Sequence, residues 1–369
     1  MKFLSSLAVC VPLAALTIYH LHDLPTAYDL SRTCEVYNVP KLTGVTGFDT
    51  TLCVITTVFS HAFRNPLGYD VTWLLLGFFG LVLTLFALEG ARARSNRLLA
   101  CFSLWGMISN FGGMSVVLFL FWIPALYYSS NNESSNVKSF HISPSRANAV
   151  LLAILVGYAS PTAAMLLTDS LQMQKWAAMI WQFAPLWIHP LYLGLTYLMA
   201  SCLDDPSADM RMTLEAREKL KVADSRNSVQ RVYMIVGLIN AMIYYVMYIR
   251  LKMKGMLNLE TLINLYHLYN GQLTGVTTEQ MGQIVATHVF AIDLLVCYSA
   301  IVVWAFFEDG IKGVLLTLIA SIFVGPGGGA ALYLVYREER LQDTALLPRS
   351  TTTAVATPAT PAATPKKKN

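Results

Sequence analysis

The chain has 369 residues, of which 55% are hydrophobic and only 13% charged. Soluble proteins carry about a quarter of their residues as Asp, Glu, Lys or Arg, so this chain lacks the charge to cover a water-facing surface, and its mean hydropathy of +0.51 points to a lipid-facing one. A formal net charge of +4 gives no reason to expect a nucleic-acid partner, and six scattered cysteines without a C-x-x-C pair argue against a zinc module or a disulfide scaffold.

A membrane-crossing helix needs roughly 17–25 apolar residues, because each residue rises about 1.5 Å through a hydrocarbon layer of about 30 Å. By that ruler the chain offers Phe3–His20, Thr72–Leu88, Leu98–Tyr127, Ala147–Leu167, Trp176–Ala200, Val232–Ile249, Ile284–Phe307 and Ile311–Tyr336. The predicted fold is therefore all-α, a polytopic membrane helix bundle of about eight transmembrane helices. The first segment also has the outline of a cleavable signal. Leu98–Tyr127 is too long for one straight span, and Gly112-Gly113 and Pro124 predict a tilt, kink or interfacial extension. Thr51–Phe63 is apolar but too short to cross, and reads as a re-entrant or interfacial segment entered through the turn-rich Gly44–Gly47. Leu257–Gln272 reads as an amphipathic surface segment. Residues 1–340 form the membrane domain. Residues 341–369 turn into a Thr/Ala/Pro-rich tail that cannot bury a core.

Arg92, Arg94 and Arg97 lie in a very short loop, which the positive-inside rule places in the cytosol together with both termini. Ser129–Arg146 then faces the lumen, where Asn132-Glu133-Ser134 is a glycosylation sequon. The ending Lys366-Lys367-Lys368-Asn369 resembles a dilysine retrieval signal, which makes the endoplasmic reticulum the expected membrane. The basic residues of Ser201–Arg231 fall on the lumenal side in this scheme. Cys34 and Cys53 could pair if both face an oxidising lumen, but read first as two unpaired membrane-interface cysteines.

Ionisable residues within apolar runs carry the functional signal, since a carboxylate at the bilayer centre costs about 2.5–3.5 kcal/mol on insertion scales. Asp293 lies about ten residues into the seventh segment. At about 100° per residue it shares a helix face with Ala286, Cys297, Ala300 and Trp304. A carboxylic acid removed from water favours its neutral form, the form a general acid needs. The alternative is a packing acid bonded to a neighbouring helix. Glu308 follows one turn beyond Trp304. Glu89 ends the second segment beside Arg92, and Asp49 precedes the short re-entrant stretch. His189 lies near Trp181 and Trp187 in the fifth segment. No spacing resembles a metal motif, so no metal and no cofactor are expected. Asp204-Asp205-Pro206-Ser207-Ala208-Asp209 superficially resembles a Mg²⁺-diphosphate motif, but Pro206 breaks the helical spacing that such motifs require.

Several short motifs in order resemble the fungal integral-membrane terpene cyclases of meroterpenoid pathways, of the ascofuranone, ascochlorin and macrophorin type. They are Gly47-Phe48-Asp49-Thr50-Thr51-Leu52-Cys53, Leu88-Glu89-Gly90-Ala91-Arg92, Gly157-Tyr158-Ala159-Ser160-Pro161-Thr162, Trp181-Gln182-Phe183-Ala184-Pro185-Leu186, Asp293 with Trp304, and Gly325-Pro326-Gly327 with Arg337-Glu338-Glu339. The resemblance implies a metal-independent, protonation-initiated cyclisation of a farnesylated aromatic or quinone, with or without a terminal epoxide. It makes Asp293 the proton donor, with Glu89, Asp49 and Glu308 behind it. Trp304, Trp181 and His189 would bind the lipid-soluble substrate. A multi-pass transporter or a non-catalytic membrane protein is the alternative.

Overall fold

The computed structural model describes residues 2–27, 43–95, 97–130, 137–204, 212–266 and 275–346. Among them the principal helices are α1 (Lys2–Ala27), α2 (Thr46–Arg64), α3 (Pro66–Ala91), α4 (Phe102–Gly112), α5 (114–130), α6 (Val137–Leu167), α7 (Leu171–Trp181), α8 (Ala184–Leu203), α9 (Leu214–Met253), α10 (Leu259–Tyr266) and α11 (Thr278–Leu341). There is no strand among the described residues. Five helices, α3, α6, α8, α9 and α11, are long and apolar enough to cross a membrane, and α1 and α5 contain shorter apolar stretches.

The axis of the bundle is α3. A helix without a polar face has to be buried, and α3 is buried along nearly all of its length. Pro66 at its first position and Asn65, whose side chain accepts from the Leu67 and Gly68 amides at 2.9 and 3.1 Å, start it at the tight junction with α2. Its two carboxylates mark the two ends of the molecule. At the Asp70 end, Asp70 pairs with Arg250 and Lys254 at 2.9 and 2.7 Å, and Arg64 with Glu279 at 2.5 Å. At the Glu89 end lies a larger ionic cluster built from α3, α11 and the segment after Arg92.

Two of the eight expected spans fold back on themselves as hairpins. The first is Leu98–Tyr127. Residue 97 follows closely on Glu89, and Tyr127 donates to Glu308 in the same cluster at 2.9 Å, so the segment leaves the Glu89 end and returns to it. Gly113, with φ 89° and ψ 129°, makes the turn. The second is Ile311–Tyr336. A straight α11 of 64 residues would be about 96 Å long. Instead, Gly310 (φ 62°) and Gly325 (φ 74°) break it into three arms, 278–309, 311–324 and 326–341. Tyr298 contacts Ser321 at 2.8 Å, so the second arm runs back beside the first. Tyr333 reaches Asp309 at 3.0 Å and Arg337 reaches Glu308 at 3.3 Å, so the third arm climbs to the Glu89 end again. Gly325-Pro326-Gly327 is therefore the tip of a hairpin between the second and third arms. An added Cβ at Gly327 would lie 2.3 Å from Asn240 Oδ1, which is how closely the tip packs on α9.

Other expectations change in smaller ways. Thr51–Phe63 belongs to a 19-residue helix, and Thr56–Ala62 are buried in the bundle rather than interfacial. The fifth segment is divided at Gln182-Phe183 into α7 and α8. Cys53 is disulfide-bonded, contrary to the expectation of unpaired cysteines, while Cys10, Cys101, Cys202 and Cys297 are free. Cys34, the Asn132 sequon and the tail from residue 347 lie outside the described residues.

The expected sidedness also changes. The Ala93 and Arg94 amides donate to His141 O and Ser139 O at 3.1 and 3.0 Å, and Ser145 bonds Asp204. The Ile142 amide donates to Ser225 at 2.9 Å. The loop at Arg92, the first turns of α6 and the start of α9 therefore share the Glu89 end. They cannot lie on opposite sides of a membrane, because both helices between Arg97 and Ser130 fold as one hairpin.

Candidate functional site

Asp293 lies halfway along the first arm of α11 and is 8% exposed. Its carboxylate accepts from Ser115 Oγ, and Cys297 Sγ donates to it at 3.8 Å. Ser115 opens α5 immediately after the Gly113 turn. The acid thus meets the start of a helix at the tip of the 97–130 hairpin, where free amides and the positive end of the helix dipole favour an anion or a hydrogen-bonded carboxyl group. Cys297, Ala300 and Trp304 on the same face are fully buried.

Aromatic rings gather one turn away from the acid. Phe290 packs on Phe59 of α2 with centroids 4.9 Å apart, and Phe59 meets Trp181 edge-on at 5.7 Å. Trp181 also lies 5.6 Å from Tyr158, and its indole N–H donates to Thr162 Oγ1 at 2.8 Å. A second group joins Phe48, Phe111 and Phe183 at 5.4–6.3 Å, between α2, the hairpin tip and the α7–α8 break. At that break Gln182 is fully buried, and neither atom of its side-chain amide has a hydrogen-bond partner. Asn110 Nδ2 donates to Gln182 O at 2.9 Å, which ties the hairpin tip to the break. Asp293 and Trp181 thus belong to one aromatic region, bounded by α2, the hairpin tip, α7 and α11.

The remaining sequence candidates lie elsewhere. Glu89 accepts from Arg92 at 2.9 Å and from Arg337 at 2.7 Å, while Glu308 is bound by Arg337 and Tyr127. Arg92 also reaches Glu338 and Phe140 O, closing a network in which Glu89, Arg92, Arg337 and Glu338 are all buried. Trp304 belongs to this cluster rather than to Asp293. It is 0% exposed, with Arg337 stacked 4.6 Å from its ring and Trp122 and Tyr333 at 5.6 and 6.2 Å. Asp49, in the first turn of α2, accepts from the Thr43 and Gly44 amides at 3.0 and 2.9 Å and holds the entering turn. His189 packs against Phe102 and Tyr192, at 5.1 and 6.2 Å.

Sequence reasoning passed over Ser115, Phe59, Phe290 and the role of Gln182. A signal for Gln182 was present, since a carboxamide in an apolar run needs a partner just as a carboxylate does. Ser115 carried no such signal, because a serine hydroxyl can be satisfied by its own helix.

No curated protein and no solved structure matches the chain. The family model of the CtvD domain matches residues 29–342, which is most of the chain. CtvD is a terpene-cyclase-like protein of fungal meroterpenoid pathways, and the match supports a role of that kind for a helical membrane protein. The chain belongs to the CtvD-domain family.

Proposed function

We propose that the protein is a membrane-bound cyclase that closes the farnesyl chain of an aromatic or quinone intermediate by proton-initiated carbocation chemistry. The observation that carries this reading is the carboxyl group of Asp293, buried at mid-bundle one turn from Phe290, whose ring packs on Phe59 and through it on Trp181. The carboxylic acid gives its proton to the terminal olefin or epoxide oxygen. The chain then closes through successive cations, which the aromatic faces stabilise by cation–π attraction. The Asp293 carboxylate left by the first step takes a proton back from the final cation, which ends the sequence, restores the acid and makes the net change an isomerisation. The buried amide of Gln182, with Asn110 beside it, supplies hydrogen bonds for the oxygens of the aromatic head. Burial keeps water from the cations. Glu89 and Glu308 are held by arginines and serve the architecture in this reading; Trp304 stands with them. The substrate dissolves in the bilayer, in keeping with the endoplasmic-reticulum location inferred from the tail.

The test is to incubate microsomes containing the protein with farnesylated phenols and quinones, with and without a terminal epoxide, and to look for cyclised isomers. Asp293→Asn is expected to lose product formation and Asp293→Glu to keep part of it. Full activity in Asp293→Asn overturns the assignment of the acid. A second reading, transport of a small apolar molecule, rests on the two hairpins broken at Gly113 and Gly325, since helices broken inside a membrane commonly line substrate paths. It predicts proteoliposomes that move such compounds across the bilayer and return them unchanged.

A further inference from the structure

The Gly157-Tyr158-Ala159-Ser160-Pro161-Thr162 motif is not assigned a chemical role above, yet it lines an apolar cavity. Residues Leu155–Ala159 form a π turn within α6. Such a turn inserts an extra residue and is often found at functional sites. Opposite it, α3 presents Gly77 and Gly80, where side chains are missing and any added Cβ would meet Ile243, Asn240 or Tyr158 at about 3.1 Å. Between the π turn, these glycines and α9 lies a cavity of about 230 Å³ whose wall is almost wholly apolar, with Trp73, Tyr158, Ala163 and Ile239 among its lining.

We infer that this cavity is a bilayer-side capture site for the prenyl chain of the substrate; the inference rests on the cyclase reading. Its wall is apolar apart from the Trp73 indole N–H and the Thr162 and Asn240 side chains, which bond within their own helices, so the occupant is mainly hydrocarbon. A cavity of about 150 Å³ accepts benzene, so this one has room for about nine or ten carbons, two isoprene units. Access is from lipid: Ile239, Ile243, Ala163 and Trp73 on its rim are half-buried, and the neighbouring Leu238 and Met242 are exposed on the bundle surface. The cavity also adjoins the reaction region. Tyr158 and Thr162 line it, and the same two residues hold Trp181, whose other face meets Phe59 beside Phe290. A chain lodged here stands one aromatic wall away from the rings next to Asp293.

The experiment measures binding of radiolabelled farnesol to the purified full-length protein in lipid nanodiscs, with oleate as competitor. Saturable binding is expected in the wild type. Ala163→Trp from α6 and Ile239→Trp from α9 fill the cavity from opposite walls, and each is expected to weaken binding about tenfold. The lipid-facing Leu193→Trp is the control and is expected to bind as wild type. In the cyclisation assay the filling variants should raise KM more than they lower kcat. Unchanged farnesol binding in whichever filling variant keeps the wild-type melting temperature overturns the inference. So does oleate that displaces farnesol as well as unlabelled farnesol does, since the site then holds only a lipid acyl chain. Asp293→Asn keeps farnesol binding, so absence of turnover and absence of this site are separate outcomes.

Discussion

At the scale of single residues, the chain places buried charge in two settings with opposite consequences. Among the described residues Asp293 meets neutral donors, Ser115 and Cys297, whereas Glu89 meets three arginines. An acid engaged by neutral groups can carry and release a proton, while one held between guanidinium groups stays ionised. Asp293→Asn should therefore lower cyclised product by about 10²–10⁴-fold, the usual worth of a general acid, with little change in thermal stability. Arg337→Leu should do the reverse. Removing one partner of a buried ion pair costs about 3–5 kcal/mol, so its melting temperature in detergent should fall well below that of the wild type. A variant of Arg337 that melts normally would show that the network is not structural. Asp293 was legible in the sequence because a carboxylate interrupts an apolar run. Trp304 shares its face but packs at the Glu89 end, and helix geometry explains why. Eleven residues share a face but stand about 16 Å apart along the axis, and Arg337, 33 residues further on, occupies the Trp304 ring.

Elements of this fold depend on where a helix stops, and a hydropathy ruler cannot see that. A re-entrant hairpin sealed within protein needs the same apolar length as a crossing helix, because backbone away from water must be satisfied either way. Leu98–Tyr127 and Ile311–Tyr336 passed the length criterion for that reason. The glycines were the informative residues. Gly112-Gly113 and Gly325-Pro326-Gly327 were legible as breaks, but a break looks the same in sequence whether the chain continues or turns back. The turns lie at φ 89°, 62° and 74° for Gly113, Gly310 and Gly325, with extended ψ, where side chains cost about 1–3 kcal/mol. Two substitutions separate strain from crowding. Gly310→Ala meets open space and should destabilise only by that backbone cost. Gly325→Ala adds a Cβ 2.5 Å from the Tyr244 ring and should destabilise clearly more. Thermal unfolding of the two variants side by side in one detergent checks the order, and equal melting temperatures would contradict a tip packed on α9.

The whole molecule has two ends, and the ionic network assigns segments to them in a way that loop-by-loop reading could not. Phe3 stacks near Tyr128, Tyr127 reaches Glu308, and Gln342 bonds Glu338, so the start of α1, the end of α5 and the end of α11 all belong to the Glu89 end. Arg92 and Arg94 are there as well, with Lys138, Lys219 and Arg340. Two sequence arguments then conflict: a sequon needs the lumen and a dilysine signal needs the cytosol, yet both are attached to one end. The charge decides between them. The Ser201–Arg231 loop counted against cytosolic termini only while it was placed opposite the arginine loop. Its hydrogen bonds bring it to the same end, where its basic residues add to the positive-inside bias. The positive-inside rule then predicts the Glu89 end at the cytosol, and with it an unmodified Asn132. Treatment of the microsomal protein with a glycosidase should leave its gel mobility unchanged, whereas a sequon engineered between Lys254 and Thr278, at the Asp70 end, should acquire a glycan. A mobility shift of the unmodified protein, removed by Asn132→Gln, would invert the orientation while leaving the pairing of segments within each end intact.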